Sequence, residues 1–402
     1  MTNLKTVREK ERRFGAYHYH PLPVALTRGE GCYVWDTDGC RYLDMMSAYS
    51  AVSHGHANPR LLAAMTRQAS RLSIVTRAFY TDRLAPFLEK ICTASGMDMA
   101  LPMNTGAEAV ETGIKAARKW AYEVKGVAAD QAGIIACHGN FHGRTIAAIA
   151  MSSEAQYRKN FGPLPGGFSL IAYNDPQALR DAIDRNTAAF LVEPIQGEGG
   201  IIVPDDGYLA ECADICRQHD VLLICDEIQT GLGRTGSFLA CEHDAVRPDG
   251  LMLGKALGGG LYPVSAFLAR RDILERFAPG DHGSTFGGNP LAAAIASEAI
   301  DILFDDGLIE NSATMGRYLA EALHALNSPL ITAIRGRGLL LGIDIDPQLA
   351  TAREVCERLM KNGILTKETH ETVVRLAPPL IIEQSIIDWA VERIDKTLKT
   401  FL

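Results

Sequence analysis

Charged side chains follow two short apolar runs of the sequence. The run 221–225 is followed by Asp226 and Glu227, and the run 251–253 is followed by a glycine and Lys255. Each run has the length and the bounds of a buried parallel strand. Ligands of open α/β sheets bind beyond the carboxyl ends of such strands. The spacing therefore predicts that Asp226 and Lys255 lie where a site would form.

An acid and an amine at one sheet edge have two interpretations. They can form a structural ion pair, as many charged residues at strand ends do. They can also serve pyridoxal 5′-phosphate (PLP), which needs a lysine for a Schiff base and an acid for its pyridine nitrogen. These two residues alone leave both interpretations open.

Other apolar segments in the first two thirds of the chain also end in polar loops. Segments 132–139, 168–175, 188–200 and 264–269 alternate with helical segments, which predicts an α/β fold with a largely parallel sheet. Packing alone is a poor explanation for so many functional side chains after strands. These side chains are Phe141, Arg144, Glu193, Glu198, Asp226, Gln229 and Lys255.

Two segments are candidates for binding a phosphate. Residues 101–126 form the clearest predicted helix, with Asn104 and Thr105 as possible N-caps. The backbone N–H groups of such a helix start can hold a phosphate, although many helices begin in this way. The loop HGSTFGGNP at 282–290 adds hydroxyl donors.

The length of 402 residues predicts two or three structural units. We expect an N-terminal segment (1–48), a large domain (49–297) and a small α+β domain (298–402). In the last of these, Arg375 lies in the apolar strand VVRL, so it is either in a core ion pair or a carboxylate receptor.

Composition narrows the class of protein. A net charge of −8 gives no electrostatic footprint for nucleic acid. No apolar run approaches the roughly 18 residues that span a membrane. Nine scattered cysteines favour reduced thiols and a cytoplasmic location, and no secretory signal is visible. The spacing of histidines and cysteines predicts no metal site.

Together these motifs resemble the class III, fold-type I PLP-dependent aminotransferases, from about GCYVWDTDG to the C-terminus. The resemblance implies a mostly parallel seven-stranded sheet flanked by helices, plus a smaller α+β domain. The motifs that carry it are SAYSAVSHGH, TRAFY, LPMNTGAEA, GNFHGRT, VEPIQGEGG, DEIQTGLGRTG, LGKALGGGLYPVSA, HGSTFGGNP and RLAPPL.

The resemblance implies a role for each residue around the PLP ring. Lys255 would bond covalently to PLP and move a proton during the reaction. Asp226 would pair with the protonated pyridine nitrogen. Gln229 would lie near the ring hydroxyl, and Phe141 would stack on the ring face.

The resemblance also assigns the phosphate of PLP to two places. Gly106 and Ala107 would bind it at the helix N-terminus. Thr285, with Ser284 beside it, would reach it from the neighbouring subunit. That contribution implies a homodimer with active sites at the interface, which can assemble further.

For the substrates the resemblance implies two carboxylate receptors. Arg144 and Tyr49 would bind the α-carboxylate of ornithine, and Tyr80 would line the channel. Arg375 would bind the α-carboxylate of glutamate or 2-oxoglutarate. Glu198 would pair with Arg375 while ornithine is bound and release it for glutamate, which hides the wrong receptor.

Within the family, Tyr49 and Tyr80 favour transfer of the δ-amino group of L-ornithine to 2-oxoglutarate. The products would be glutamate and glutamate 5-semialdehyde, which cyclises to pyrroline-5-carboxylate in proline and arginine metabolism. His142 departs from this pattern, because ornithine-specific members from animals have Trp there. The alternatives are N-acetylornithine or 4-aminobutyrate as amino donor and, more remotely, a non-catalytic regulator with the same fold.

Overall fold

A computed structural model describes residues 3–402 of the chain. Helices dominate its surface layers. In chain order the α-helices are α1 (Leu4–Phe14), α2 (Ser47–Ser50), α3 (Pro59–Ala69), α4 (Leu84–Ser95), α5 (Gly106–Trp120), α6 (Ile146–Ala150), α7 (Ala155–Arg158), α8 (Pro176–Ala182), α9 (Tyr208–Gln218), α10 (Arg271–Leu274), α11 (Pro290–Asp305), α12 (Leu308–Ala325), α13 (Ala352–Lys361) and α14 (Gln384–Leu398).

The strands form three sheets. In chain order they are β1 (Leu26–Glu30), β2 (Tyr33–Asp36), β3 (Arg41–Asp44), β4 (Met99–Met103), β5 (Gly133–Cys137), β6 (Phe168–Ile171), β7 (Thr187–Val192), β8 (Leu222–Asp226), β9 (Gly250–Leu253), β10 (Ser265–Ala269), β11 (Ile331–Arg337), β12 (Leu340–Ile345), β13 (Ile364–Leu365), β14 (Glu368–Thr369) and β15 (Val373–Leu376).

The central sheet has seven strands in the order β4-β10-β9-β8-β7-β5-β6. Strands β6, β5, β7, β8 and β9 pair in parallel, whereas β10 is antiparallel to both β9 and β4. Every residue of β7, β8, β9 and β10 is buried, as expected for strands covered on both faces. The predicted α/β fold with a mostly parallel seven-stranded sheet is confirmed.

Two smaller sheets lie outside it. Strands β2 and β3 form an antiparallel hairpin in the sheet β1-β2-β3-β13. The C-terminal region contributes the antiparallel sheet β11-β12-β15-β14 with helices α12, α13 and α14. Residue 297 lies inside α11, so this helix continues across the expected boundary. The division into three units stays a prediction.

Helix α5 is shorter than the predicted helix 101–126. Thr105 caps it by accepting a hydrogen bond from the N–H of Glu108, whose carboxylate accepts one from the N–H of Thr105. The residues before this cap pair with β10 instead of joining the helix. Gly113 lets α5 pack closely, because a Cβ there would lie 2.4 Å from the Met252 side chain.

No α-helix within residues 3–402 is both long enough and apolar enough to cross a membrane.

Candidate active site

Asp226 and Lys255 lie at the same edge of the central sheet. Asp226 is the last residue of β8 and pairs with Met252 of β9, and Lys255 follows two residues after the end of β9. Burial lowers the pKa of the Lys255 amine, although the charges of Glu198 and Asp226 oppose this. A larger fraction of the amine is therefore neutral, which is the nucleophilic form.

The start of α5 reaches this edge through the side chain of Ile228. A Cβ at Gly106 would lie 3.1 Å from Ile228, and one at Gly254 would lie 3.3 Å from it. Within the described chain, the N–H groups of Gly106 and Ala107 have no hydrogen-bond partner. Two free donors at a helix N-terminus are thus available next to the residue that precedes Lys255.

The carboxylate of Asp226 is buried and held on both sides. His142 Nδ1 donates to its Oδ2 at 2.7 Å, and the N–H of Ile228 donates to its Oδ1 at 3.1 Å. Burial alone would lower the pKa of His142, but the hydrogen bond to Asp226 and the charges of Asp226 and Glu193 raise it overall. This favours a protonated imidazole beside the carboxylate.

A second buried carboxylate positions Phe141. Glu193 follows the end of β7, and its Oε2 accepts a hydrogen bond of 2.9 Å from the N–H of Phe141. Burial raises the pKa of Glu193 to about 7, although the charge of His142 opposes this. The half-buried ring of Phe141 makes an edge contact with Tyr157, with ring centroids 6.1 Å apart.

Arg375 is the centre of a polar cluster next to Lys255. Its Nη1 donates to Glu198 Oε1 at 2.7 Å and to Gln229 Oε1 at 3.2 Å. The guanidinium carbon lies 5.5 Å from the ring centroid of Tyr49. Only 1% of the Arg375 side chain and 24% of the Glu198 side chain are exposed, so the ion pair is largely buried.

The charge of Arg375 determines the protonation of Glu198. Burial alone would raise the pKa of Glu198, but Arg375, Lys255 and Gln229 together lower it to about 2. The carboxylate is therefore charged, and the ion pair formed, at neutral pH. Burial also raises the pKa of the nearby Tyr49 phenol, which keeps it a hydrogen-bond donor.

Four of the predicted site residues lie farther from this cluster. The Arg144 guanidinium lies 3.7 Å from the ring centroid of Tyr157, and within residues 3–402 it makes no hydrogen bond or ion pair. Tyr80 is fully exposed, and in the 282–290 loop Gly283, Thr285 and Phe286 are exposed whereas residues 287–290 are buried. Ser284 Oγ accepts a hydrogen bond of 2.7 Å from Asn104 of the same chain, and Thr285 is exposed beside it.

The arrangement fits PLP. A buried amine with a lowered pKa suits covalent bonding to an aldehyde. The carboxylate of Asp226 suits a protonated ring nitrogen, and the free N–H groups at the start of α5 suit a phosphate. By contrast, residues 3–402 contain no cluster of three or more His, Cys, Asp and Glu that could hold a metal ion.

Sequence reasoning left two neighbours of this site without a role. His142 was only a departure from the family pattern, yet it is the side-chain donor to Asp226. Glu193 was noted after its strand but assigned nothing, although it holds the backbone of Phe141. For Glu193 the available signal was a polar residue at the end of an apolar strand, the same signal that identified Asp226.

The chain is similar to known aminotransferases over nearly its whole length. Residues 14–398 match the family described as Aminotransferase class-III. An ornithine aminotransferase from Macrococcus caseolyticus is 52% identical over 394 residues, which cover 98% of each protein.

Solved structures agree with this match. The structure of an ornithine aminotransferase from Toxoplasma gondii, with PLP partially occupying its active site, has a TM-score of 0.97 at 44% identity. It covers 98% of this chain and 94% of that one. An acetylornithine aminotransferase from Elizabethkingia anophelis has a TM-score of 0.91 at 46% identity, with each chain covered completely.

Proposed function

The chain belongs to the class-III aminotransferase family, and on that premise we propose that it transfers the δ-amino group of L-ornithine to 2-oxoglutarate. As a member of that family it is a PLP-dependent transaminase. The products would be glutamate and glutamate 5-semialdehyde, which cyclises to pyrroline-5-carboxylate. The similarity to ornithine aminotransferases over 98% of the chain supports this choice of substrate.

The sheet edge supplies the residues that would hold the cofactor. Bound PLP provides an aldehyde for covalent bonding and a ring that withdraws electrons from the reacting carbon. Asp226, fixed by His142, would face the ring nitrogen, and Gln229 the ring hydroxyl. Phe141 would cover the ring face, held by the bond between its N–H and Glu193.

Lys255 would provide both the covalent attachment and the proton transfer. Its pKa is lowered by burial, so its Nζ can accept a proton from the substrate carbon and return it at another atom. The backbone of Lys255, just after β9, has a positive φ of 44°. Non-glycine residues rarely adopt this backbone conformation.

The ion pair between Glu198 and Arg375 is the observation that carries the choice of a δ-amine donor. The two half-reactions need opposite arrangements: ornithine reacts at its distal amine, whereas glutamate reacts at the amine next to its carboxylate. An Arg375 neutralised by Glu198 offers no receptor to the α-carboxylate of ornithine. Glutamate would displace Glu198 and bind Arg375 in its place.

Arg144 and Tyr49 would then bind the α-carboxylate of ornithine, with Tyr80 along the channel. In this structure Tyr49 lies beside Arg375, and the Arg144 guanidinium stacks on Tyr157. Binding would therefore require Arg144, which is exposed, to turn towards the site. Because Arg144 forms no ion pair within residues 3–402, this movement would break none.

We also propose that the chain acts as a homodimer in which Ser284 and Thr285 complete the partner's phosphate site. Apolar side chains near this loop support an interface, since Phe79 is 63% and Phe286 51% exposed. The start of α11, directly after this loop, contacts the segment between α3 and α4 that carries Phe79, through a hydrogen bond of 3.3 Å from Leu291 N to Ser73 O. A sedimentation velocity experiment on the holoenzyme would reveal a dimer, and a monomer with full activity would contradict this proposal.

A cytoplasmic location is proposed from the thiols. All nine cysteines are free, and seven of them are buried. Free thiols in that number suit a reducing compartment.

A side-by-side assay tests the substrate. Ornithine, N-acetylornithine and 4-aminobutyrate are each offered with 2-oxoglutarate, and kcat/KM is compared, with pyrroline-5-carboxylate trapped by o-aminobenzaldehyde. We expect the highest kcat/KM for ornithine. N-acetylornithine is the second candidate because of the 46% identical acetylornithine enzyme, and a higher kcat/KM for it would overturn the proposal.

A further inference from the structure

Arg234 is a fully buried cation without a carboxylate partner. None of its surface is exposed, and no Asp or Glu within residues 3–402 forms an ion pair with it. Burial lowers the pKa of its guanidinium to about 9, although the charge of Asp44 opposes this. An apolar side chain of similar volume would avoid that desolvation penalty. The bonds that the guanidinium makes must therefore explain its presence.

The acceptors of Arg234 belong to separate segments of the chain. Its Nη1 donates to the carbonyl of Leu339 at 2.9 Å and to the carbonyl of Pro378 at 2.6 Å. Its Nη2 donates to Ser53 Oγ at 2.9 Å. Arg234 lies five residues after Gln229, in the loop that follows β8. One planar side chain thus joins that loop to the β11–β12 turn, the exit of β15 and the segment after α2.

The bond to Ser53 stabilises the turn that holds Tyr49. Residues 47–50 have positive φ values of 46°, 46°, 61° and 74°, although none is glycine. Such a run persists only where its surroundings stabilise it. Ser53 Oγ accepts from Arg234 and donates to the carbonyl of Ser50 at 2.9 Å, at the end of this run.

The hydrogen bond from Arg234 to Pro378 fixes the segment that follows Arg375. Pro378 follows Arg375 by three residues, just after β15 ends. Backbone bonds flank it: Ala377 N donates to Met45 O at 2.7 Å, and Leu380 N donates to Ser53 O at 2.8 Å. The segments that carry Tyr49 and Arg375 therefore lie side by side, with the Arg234 guanidinium between them.

We infer that Arg234 is a positioning residue that sets the geometry of both substrate carboxylate receptors, by fixing the Tyr49 turn and the exit of the Arg375 strand to the loop after β8. The inference rests on the proposed function, because that function makes Tyr49 and Arg375 receptors. Arg234 touches neither cofactor nor substrate in this assignment. It acts on binding through the two segments that it joins.

The decisive variant is Arg234→Lys, which keeps the charge but not the planar fork that reaches three acceptors. Binding of glutarate, a dicarboxylate that cannot be transaminated, is measured on the holoenzyme by titration calorimetry. KM and kcat for ornithine and for glutamate are measured beside it. We expect glutarate affinity to fall and both KM values to rise about tenfold, with kcat within about threefold of wild type.

Two further variants separate positioning from simple loss of stability. Ser53→Ala removes only the link to the Tyr49 turn, so we expect KM for ornithine to rise and glutarate affinity to stay unchanged. Lys125→Met is the matched control, because Lys125, like Arg234, joins separate segments by donating to three acceptors, here the carbonyls of Thr187, His219 and Asp220. It should lower the melting temperature without changing either affinity.

The outcomes distinguish this inference from the proposed function. Wild-type affinities in Arg234→Lys and Ser53→Ala would overturn the positioning role, and so would an equal loss of affinity in Lys125→Met. If Arg234→Lys yields no folded holoenzyme, Ser53→Ala decides through KM for ornithine. Wild-type enzyme that accepts glutamate but not ornithine would refute the proposed substrate, and the glutarate titration would still test Arg234.

Discussion

Replacing Glu198 by Gln tests how one site selects two different amines. Glutamine keeps the shape of the side chain and an oxygen acceptor for Arg375, but it removes the negative charge. Arg375 would then be a permanently available receptor for a substrate carboxylate. We expect the variant to react faster with glutamate and to lose its preference for the δ-amine of ornithine.

The structure sets the size of the effect. The pKa of Glu198 falls from an ordinary 4.5 to about 2. That difference corresponds to about 3 kcal/mol between the charged and neutral carboxyl in this site. Displacing Glu198 from Arg375 by a glutamate carboxylate therefore has a free-energy cost of this order. We expect kcat/KM for glutamate to rise on the order of a hundredfold.

Product analysis measures the change in selectivity. Reaction at the δ-amine yields pyrroline-5-carboxylate, and reaction at the α-amine yields the isomeric pyrroline-2-carboxylate after cyclisation. Chromatography of the mixture after incubation with ornithine and 2-oxoglutarate separates the two. We expect only the first product from the wild type and both from Glu198→Gln.

Glu298→Gln is the matched control. Glu298 accepts from Arg60 at 2.7 Å, the same distance as in the pair of Glu198 and Arg375, but it lies on α11. The control should leave selectivity and kcat/KM unchanged. Exclusive δ-product from Glu198→Gln, with unchanged kcat/KM for glutamate, would refute the reasoning.

The depressed pKa also has a consequence for pH. A carboxyl whose folded pKa is lowered stabilises the fold above its unfolded pKa of about 4.5, and this contribution is lost as pH falls towards about 2. Between pH 6 and pH 9 Glu198 stays charged, so its ion pair with Arg375 persists. The wild type should therefore yield only pyrroline-5-carboxylate from ornithine throughout that range.

Three further predictions concern other residues of the site. Lys255→Ala should abolish transamination and the visible absorbance of covalently bound PLP, and retained absorbance would exclude Lys255 as the attachment point. Tyr49→Ile should lower kcat/KM for ornithine and raise it for 4-aminobutyrate, which lacks an α-carboxylate next to an amine; an unchanged ranking in the three-donor assay would count against Tyr49. Glu193 has a folded pKa raised to about 7 from 4.5, so its stabilising contribution is present below pH 4.5 and is lost as pH rises to about 7. Glu193→Gln should flatten this part of the stability curve measured by urea unfolding, and an unaltered slope would show that Glu193 does not titrate there.

Patterns of residue type within single segments of the sequence predict most of the fold. The fully apolar runs before Asp226 and Lys255 are buried strands, because such runs pack only when both faces of a sheet are covered. Parallel strands place their carboxyl ends at one edge, so the common position of these two residues followed from the alternation of strands and helices. Asn104 and Thr105 were both N-cap candidates, and the structure shows that Thr105 is the cap, with a capping box to Glu108.

Strand β4 was missed for a physical reason. Its residues Met99–Met103 directly precede a helix cap and have no alternation of their own. They become a strand because β10, about 160 residues later, supplies their hydrogen-bond partners. A pairing between segments so distant in sequence leaves no local signal.

The sequence by itself determined the fold class, the family and the candidate reactive groups, since these depend on residue type and on spacing within single segments. Only the tertiary structure decided which partner each group has. His142 bonds to Asp226 across 84 residues, Glu198 to Arg375 across 177, and Arg234 to Pro378 across 144. Burial and charge at these contacts set the pKa values of Lys255 and Glu198. Desolvation and Coulomb interactions depend on distance in space, which the order of residues along a chain does not specify.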